Sequence, residues 1–175
     1  MSTRGVYGFF SGGRNKILYN HQDSYPDNLG RKIFGFVRDH TDKELKNLCD
    51  SIKVIEDMNG PPPTDAGDPV YWELGVPNEG LLFIENSEIF LGDSLNCEWA
   101  YVINLDAGVL EIYKGRQKEV QENRYQIFTS GSAIHMGYEA CALQNTFRLE
   151  NIRLLKNEDI SIILEQVRTE KQVVE

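Results

Sequence analysis

Side chains that could do chemistry are concentrated between positions 19 and 30, where the chain reads Tyr-Asn-His-Gln-Asp-Ser-Tyr-Pro-Asp-Asn-Leu-Gly. The preceding residues, 14–19, have the pattern of a strand, and a helical pattern begins at Leu29. The stretch is therefore predicted to be a junction at which a strand runs into a helix. Loops held by rigid elements often carry binding and catalytic groups, and the candidates here are His21, Asp23, Ser24 and Tyr25.

The N-terminus is predicted to lie beside this junction. Residues 3–10 are rich in β-branched and aromatic side chains, and Ser11-Gly12-Gly13 separates them from the next strand, which indicates a hairpin. If Met1 is removed, the free α-amino group of Ser2 can accept the proton of its own hydroxyl, because the ordinary pKa of an α-amine is about 7.7 to 8.0.

This arrangement predicts a hydrolase of amide or similar bonds. Ser2 would be the nucleophile, Arg4 would stabilise a carboxylate or an oxyanion, and Asp23 would orient the amine. Thr3 is the alternative nucleophile and would require the removal of two residues. His21 completes the catalytic candidates as a general base.

Other interpretations of the same stretch stay open. His21 and Asp23 stand at positions i and i+2, on one face of an extended strand, where both could bind a metal; two ligands do not make a site, so no metal is predicted. A Ser24–His21 pair could act as nucleophile and base. The stretch could also form a pocket that binds without turnover, or it could only cap the helix and satisfy backbone groups. The predicted binding residues are Tyr19, Asn20, Ser24 and Tyr25.

The rest of the chain predicts the elements that must position this junction. Two amphipathic helices should follow the first hairpin, one beginning near Leu29 and one capped by the Thr41–Glu44 capping box, and a last helix should begin at Asn157. Trp99–Leu105 and Val109–Tyr113, joined by a turn, predict a second hairpin. Shorter apolar runs at 81–85, 89–91 and 124–128 suggest further strands, 143–155 could be strand or loop, and the Pro-rich 59–69 should be an irregular loop.

These elements predict a single α+β domain over residues 1–175. It would contain an antiparallel sheet or sheets, two consecutive helices after the first hairpin and a C-terminal helix. An αββα sandwich is one arrangement that satisfies this order.

The charge composition restricts the classes of molecule that this protein is expected to bind. Eighteen Lys and Arg against 27 Asp and Glu give a net charge of −9, which opposes direct binding to nucleic-acid phosphates. The acidity supports an alternative function, a noncatalytic interaction protein whose acidic surface inhibits a host-defence or nucleic-acid-handling partner. The expected partners are thus a small-molecule or peptide substrate, or a basic protein.

Cysteine usage and apolar runs indicate the compartment. The three Cys residues are odd in number and widely spaced, which suggests neither disulfides nor a zinc site, and no apolar run approaches the roughly 18 residues of a membrane helix. A cytoplasmic protein is expected. The chain has no GxGxxG or GxxxxGK[ST] motif, and no cofactor is predicted.

Three segments resemble a family of small uncharacterised proteins of bacteria, their phages and some fungi. They are the N-terminal Thr3-Arg4-Gly5 strand, the Tyr-Asn-His-x-Asp-Ser-Tyr-Pro segment from Tyr19 to Pro26, and the hairpin from Trp99 to Asp106. The resemblance implies a phage-related origin and no particular activity. The order of a short N-terminal strand, a hairpin and a following Asp is also similar to N-terminal-nucleophile hydrolases, which stack two antiparallel sheets between helix layers.

Overall fold

The computed structural model describes residues 3–56 and 82–170. In chain order, the strands are β1 (Gly5–Ser11), β2 (Arg14–Asn20), β3 (Ile52–Val54), β4 (Leu82–Ile84), β5 (Trp99–Asn104), β6 (Val109–Lys114) and β7 (Ala142–Arg148). The helices are α1 (Arg31–Arg38), α2 (Asp42–Ser51), α3 (Gly131–His135), α4 (Leu149–Ile152) and α5 (Asn157–Thr169). The predicted α+β class is confirmed. The predicted Pro-rich loop at 59–69 lies outside the described residues.

The central feature is a five-stranded sheet with the order β2-β1-β5-β6-β7. β1 pairs with β2 as the predicted antiparallel hairpin, and β5 pairs with β6 as the second one. β1 and β5 are parallel, however, with Gly5 opposite Trp99, so the sheet is mostly antiparallel but mixed. Parallel neighbours need a crossover connection, and here the chain between β2 and β5 includes α1, α2 and the parallel β3–β4 pair.

Side chains of the sheet alternate between two buried faces. The face that we call the helix face carries Tyr7, Phe9, Tyr101, Ile103 and Ile112, which pack in one core with α1 and α5. The helical pattern read from the sequence is confirmed, because its apolar positions are all buried: Leu29, Ile33, Phe34, Phe36 and Val37. A π-helical turn, Pro26–Gly30, precedes α1.

The opposite face, which we call the turn face, has a smaller core of its own. Val6, Ile17, Ala100, Val102 and Tyr113 pack there against residues from irregular segments: Leu91, Tyr125, Ala140 and Cys141. Turns and loops thus take the place that a second stacked sheet would occupy in an αββα sandwich. The described strands form one large sheet and the separate β3–β4 pair.

Two short apolar runs predicted as strands are 3-10 turns instead. Glu88–Gly92 contains the run 89–91, and Gln126–Phe128 contains most of the run 124–128. Each turn closes on itself, since the Phe90 N–H donates to the Ser87 carbonyl and the Phe128 N–H donates to the Tyr125 carbonyl, both at 3.0 Å. Runs of three or four apolar residues have too few positions to show a period.

Other elements agree with the sequence. The Thr41 hydroxyl accepts a hydrogen bond from the Glu44 N–H at 3.2 Å, and the Glu44 carboxylate accepts one from the Thr41 N–H at 2.7 Å, so the capping box of α2 is confirmed. The helix predicted at Asn157 is α5. The segment 143–155, left open between strand and loop, forms most of β7 and then α4.

One carboxylate ties the tips of the two hairpins together. Asp106, in the β5–β6 turn, accepts hydrogen bonds from the N–H groups of Gly12 at 2.7 Å and Gly13 at 3.0 Å. Both glycines have positive φ, 60° and 71°, a conformation that costs little without a Cβ. The two N–H groups hold the pKa of Asp106 below its ordinary value, because they bind the ionised form.

The lowered pKa of Asp106 gives a pH-dependent contribution to stability. It should be fully present above the ordinary pKa of 3.8 and be lost as the pH falls through the lower folded-state pKa. Asp106→Asn should therefore destabilise the protein at neutral pH, and the difference from wild type should shrink in acid. Urea unfolding at a series of pH values measures this. Glu122→Gln removes an exposed carboxylate elsewhere and serves as the control. A constant Asp106→Asn deficit at every pH would contradict the prediction.

Candidate functional site

The start of β1 lies directly against the predicted junction. The Ser24 N–H donates to the Thr3 carbonyl at 3.1 Å, and Gly5 is the register partner of Asn20. Thr3 itself is buried, and Ser2 lies outside the described residues. The N-terminal strand and the segment from 20 to 24 are therefore spatial neighbours, as the hairpin pattern suggested.

Ser24 is the centre of a closed set of hydrogen bonds. Its buried hydroxyl accepts from the Asn20 amide nitrogen at 2.7 Å, and its carbonyl accepts from the Tyr101 hydroxyl at 2.9 Å. A Cβ on Gly5 would lie 2.7 Å from the Ser24 side chain, so the absence of a side chain at Gly5 allows this approach. Burial raises the pKa of Tyr101 well above its ordinary value, with a smaller contribution from the charge of Asp27, and the phenol stays a donor.

We call the hydrogen bonds of Ser24 with Asn20 and Tyr101 the joint, because their geometry indicates a structural role. Asn20 also donates to the Gln22 carbonyl at 2.6 Å, so its amide fixes the backbone of the junction as well as Ser24. A nucleophilic Ser24–His21 pair would require the joint to open, because the Ser24 hydroxyl is fully buried. The interpretation in which these residues satisfy backbone groups has the stronger geometric support.

The remaining candidates lie on the surface. Tyr19, His21, Asp23 and Tyr25 are exposed. The Tyr19 hydroxyl is 3.3 Å from His21 Nδ1, and the Tyr19 ring packs edge-on against Phe90 with centroids 5.3 Å apart. Asp23 has a φ of 56°, a left-handed conformation that Asp tolerates better than most residues and that suits a tight turn.

Arg4 is directed to a different loop. Its guanidinium donates to the Asn96 side-chain oxygen at 2.6 Å, and Asn96 is held in turn by the carboxylate of Asp93. The structure thus brings Thr3, Asn20 and Ser24 together in the interior, leaves four candidates at the surface, and directs Arg4 toward the chain that leads into β5.

A buried ion pair that the sequence reading missed lies on the turn face of the sheet. Glu111 of β6 is 5% exposed, and its carboxylate accepts two hydrogen bonds from Arg124, at 3.1 and 2.5 Å. The Asn104 amide and the Tyr113 hydroxyl donate to the same carboxylate, each at 2.8 Å. Burial raises the pKa of Tyr113, and the Glu111 charge raises it further, so this phenol also remains a donor.

Aromatic rings complete the environment of Arg124. Its guanidinium carbon lies 4.1 Å from the centroid of the Phe10 ring and 4.7 Å from that of Tyr125. The Tyr125 hydroxyl donates to Asn15 at 2.8 Å. Because Arg124 donates to Glu111 and Tyr125 donates to Asn15, this network fixes the loop after β6 onto the turn face. The sequence signal for it was a charged residue at an inward-facing position of a strand buried on both faces.

An exposed apolar surface covers part of the turn face, and we call it the turn patch: Tyr19, Ile89, Phe90, Ile127 and Phe128. Ile89 is 65% and Ile127 is 82% exposed, whereas Phe90 and Phe128 are partly buried in the core of the turn face. The two 3-10 turns touch through Gly92, where a Cβ would come within 2.4 Å of the Phe128 backbone. The patch is therefore built on closely packed backbone.

The segments around the turn patch, 85–98 and 119–139, carry an excess of carboxylates. Among the described residues, none of these carboxylates lies within 4.0 Å of a basic nitrogen: Glu85, Glu88, Asp93, Glu98, Glu119, Glu122 and Glu139. In contrast, α1, α2, α5 and their flanking residues contain ion pairs such as Arg153–Asp42 and Arg168–Glu165. These seven carboxylates therefore have no ion-pair partner among the described residues.

Comparisons with known proteins give no relative. No family model, no curated protein and no solved structure matches the chain. Within residues 3–56 and 82–170, no helix is long and apolar enough to cross a membrane, and no group of three or more His, Cys, Asp or Glu side chains could hold a metal ion.

The joint at Ser24 should contribute to stability. Ser24→Ala and Tyr101→Phe each remove one buried hydrogen bond, and each should lower the free energy of unfolding by about 1 to 3 kcal/mol. Tyr25→Phe removes a hydroxyl from an exposed side chain and should change it by less than about 0.5 kcal/mol. Chemical denaturation of the three variants is the measurement, and equal small effects in all three would show that the joint is not structural.

The Glu111–Arg124 pair should behave as a buried ion pair. Arg124→Met leaves the Glu111 carboxylate without its cation and should cost about 3 to 5 kcal/mol. The double variant Glu111→Leu/Arg124→Met removes both charges and should recover much of that loss. Urea unfolding of the two single variants and the double variant gives the coupling energy, and strictly additive losses would contradict the interpretation.

Proposed function

We propose that this protein is a noncatalytic interaction protein that binds a basic surface of another protein through the turn patch and its surrounding carboxylates. The single observation that carries the proposal is the combination of highly exposed Ile89 and Ile127 with neighbouring carboxylates that have no cationic partner among the described residues. Such a surface is complementary to a cationic partner with apolar side chains of its own.

The two kinds of side chain have different roles. Full burial of an Ile side chain contributes about 1.5 to 3 kcal/mol, so Ile89 and Ile127 are the expected affinity anchors. The carboxylates act at longer range, where they accelerate association with a cationic partner and disfavour acidic ones. Nucleic acid is not the expected ligand, because its phosphates would be repelled.

The packing beneath the patch favours binding without rearrangement. Leu91 and Tyr125, next to the two turns, are buried in the core of the turn face. Arg124 is held by Glu111, so the loop that leads into the second turn is fixed as well. A preformed surface loses less conformational entropy on binding.

The cytoplasmic location and the kind of partner belong to the same proposal. Cys49, Cys97 and Cys141 are buried free thiols, which suits a reducing compartment. A basic protein of host defence or of nucleic-acid handling would present the required cationic surface, and occupation of that surface would inhibit it.

The hydrolase of amide bonds remains a prediction with less geometric support. Among the described candidates for a nucleophile, the side chains of Thr3 and Ser24 are buried. A Ser2 nucleophile would need the removal of Met1, which intact mass reports. The two functions respond differently to salt, since an acidic surface should release its partner as ionic strength rises while a pocket enzyme should be nearly insensitive.

A designed cationic peptide tests the binding function. The probe is an amphipathic helix of Lys and Leu, and a peptide with Glu in place of Lys is its matched control. We expect measurable binding of the Lys peptide by calorimetry, weakening from about 0.05 to about 0.5 M salt. Ile89→Ser/Ile127→Ser should weaken binding more than about tenfold, because each tenfold step corresponds to only about 1.4 kcal/mol.

The control variant is Leu154→Ser/Ile162→Ser, which removes two other exposed aliphatic side chains, Ile162 on α5 and Leu154 just before it. It should bind the Lys peptide as tightly as the wild type does. Equal losses in the two double variants, or equal binding of the Lys and Glu peptides, would overturn the proposal. A salt-independent interaction would overturn it as well.

A further inference from the structure

The two edge strands of the central sheet, β2 and β7, differ in whether other residues form hydrogen bonds with their outer backbone groups. At the β2 edge, the Ser87 N–H donates to the Ile17 carbonyl at 2.9 Å, the Asn86 side-chain oxygen accepts from the Ile17 N–H at 3.1 Å, and the Asn86 amide donates to the Asn15 carbonyl at 2.8 Å. Residues 86 and 87 thus act as a short substitute for a strand. The backbone of Asn15 and Ile17 at this edge is thus already engaged and is not open to pairing with another strand.

The β7 edge has no such cover. Within the part of the chain that the structure describes, the backbone of residues 142–148 forms hydrogen bonds with β6 and with no other element. An edge strand presents a row of backbone donors and acceptors that can pair with another strand. Among residues 3–56 and 82–170, β7 is therefore the open end of the sheet.

The side chains of β7 do not protect this edge. Residues 142–147 read Ala-Leu-Gln-Asn-Thr-Phe, with no charge and no proline, and Leu143 is 43% exposed. Natural proteins usually guard an edge with Lys, Pro or a bulge, and here only an irregularity in the pairing with β6, at Gln144, is present.

Two amide oxygens of β7 also lack partners. Gln144 Oε1 and Asn145 Oδ1 are buried and accept no hydrogen bond among the described residues. Their amide nitrogens are engaged, Gln144 with the Val167 carbonyl at 2.6 Å and Asn145 with the Glu170 carboxylate at 3.1 Å. Buried acceptors without donors are uncommon in native structures. The two side chains are directed toward the C-terminal end of α5, so the hydrogen-bonding capacity of the edge itself is that of its backbone.

We propose that β7 pairs with β7 of a second copy of this chain, antiparallel and about a two-fold axis, to form one continuous sheet across the dimer. A two-fold contact places the same surface on both sides, so the strand must be complementary to itself. An uncharged strand meets this condition. Arg148 lies at one end, and antiparallel pairing places the two Arg148 side chains at opposite ends of the contact.

The lack of charge on residues 142–147 argues against the cationic partner of the proposed function as the molecule that binds the β7 edge. The cationic partner of the proposed function is attracted to the carboxylates around the turn patch, whereas residues 142–147 carry no charge that would attract it. The nearest charges in sequence, Arg148 and Glu150, pair with each other at 3.4 Å. The dimer inference is independent of the proposed function, since it depends on the β7 edge alone.

Sedimentation velocity over a range of protein concentrations tests the inference. Wild type should shift from monomer to dimer as concentration rises. Thr146→Lys, at an exposed position of β7, should raise the dissociation constant at least tenfold, because the two-fold axis brings two Lys side chains toward each other. The matched control is Asn47→Lys on the exposed surface of α2, which adds the same charge and should dimerise like wild type.

Hydrogen exchange of the wild type locates the contact without a substitution. Amides in 142–148 should become more protected at concentrations where the dimer forms, while amides in β2 should not change. If Thr146→Lys fails to fold, Leu143→Lys serves the same purpose. A wild type that is monomeric throughout, or a dimer whose formation leaves 142–148 unprotected and that both Lys variants preserve, would overturn the inference.

Discussion

The burial of β1 and β5 on both faces is the constraint on which the rest of the structure depends. These neighbouring strands must bury Tyr7, Phe9, Tyr101 and Ile103 under helices and, at the same time, Val6, Ala100 and Val102 under turns. A strand buried on both sides leaves no room for unsatisfied polar groups. Polar side chains in and beside the central sheet are consequently held in compact hydrogen-bond networks. Four of the candidate site residues outside these networks lie at the surface.

The two networks lie on opposite faces of the sheet, and one is neutral whereas the other is charged. On the helix face, Ser24, Asn20 and Tyr101 form a neutral joint that fixes the strand–helix junction. On the turn face, Glu111 and Arg124 form a charged network that fixes the loop after β6. Each network contains residue types that are common in active sites, and here their side chains are engaged in structural hydrogen bonds. What remains exposed is an apolar patch with carboxylates around it, and such a surface is better suited to recognition than to bond cleavage.

The sequence predicted the elements with local signals and missed those that depend on distant partners. The apolar spacing from Leu29 and the Thr41–Glu44 pair define α1 and α2, since helix periodicity and capping involve residues a few positions apart. The parallel pairing of Gly5 with Trp99 has no local signal, and neither has the choice of 3-10 turn over strand at Ile89. Both involve contacts with distant parts of the chain: β1 pairs with β5, and the turn at Ile89 packs against the core of the turn face.

In the candidate site too, features with a local sequence signal could be predicted and features that depend on distant residues could not. The proximity of the N-terminal strand to Ser24 could be predicted because a hairpin forces it. The burial of Ser24 could not, because it depends on Tyr101, 77 residues further along the chain, and on the missing side chain of Gly5. Glu111 and Arg124 are 13 residues apart on either side of a loop, and only the folded loop brings them together.

The parallel partnership of β1 and β5 also has a kinetic consequence. β1 acquires its central neighbour only after Trp99 has been synthesised, so until then the β1–β2 hairpin has one long side unpaired. Closing so large a loop lowers the conformational entropy of the chain before the contacts between β1 and β5 can form. Folding is therefore slower than for a topology of local hairpins. A nascent chain interrupted before β5 would therefore expose the unpaired backbone groups of β1 to pairing with other chains.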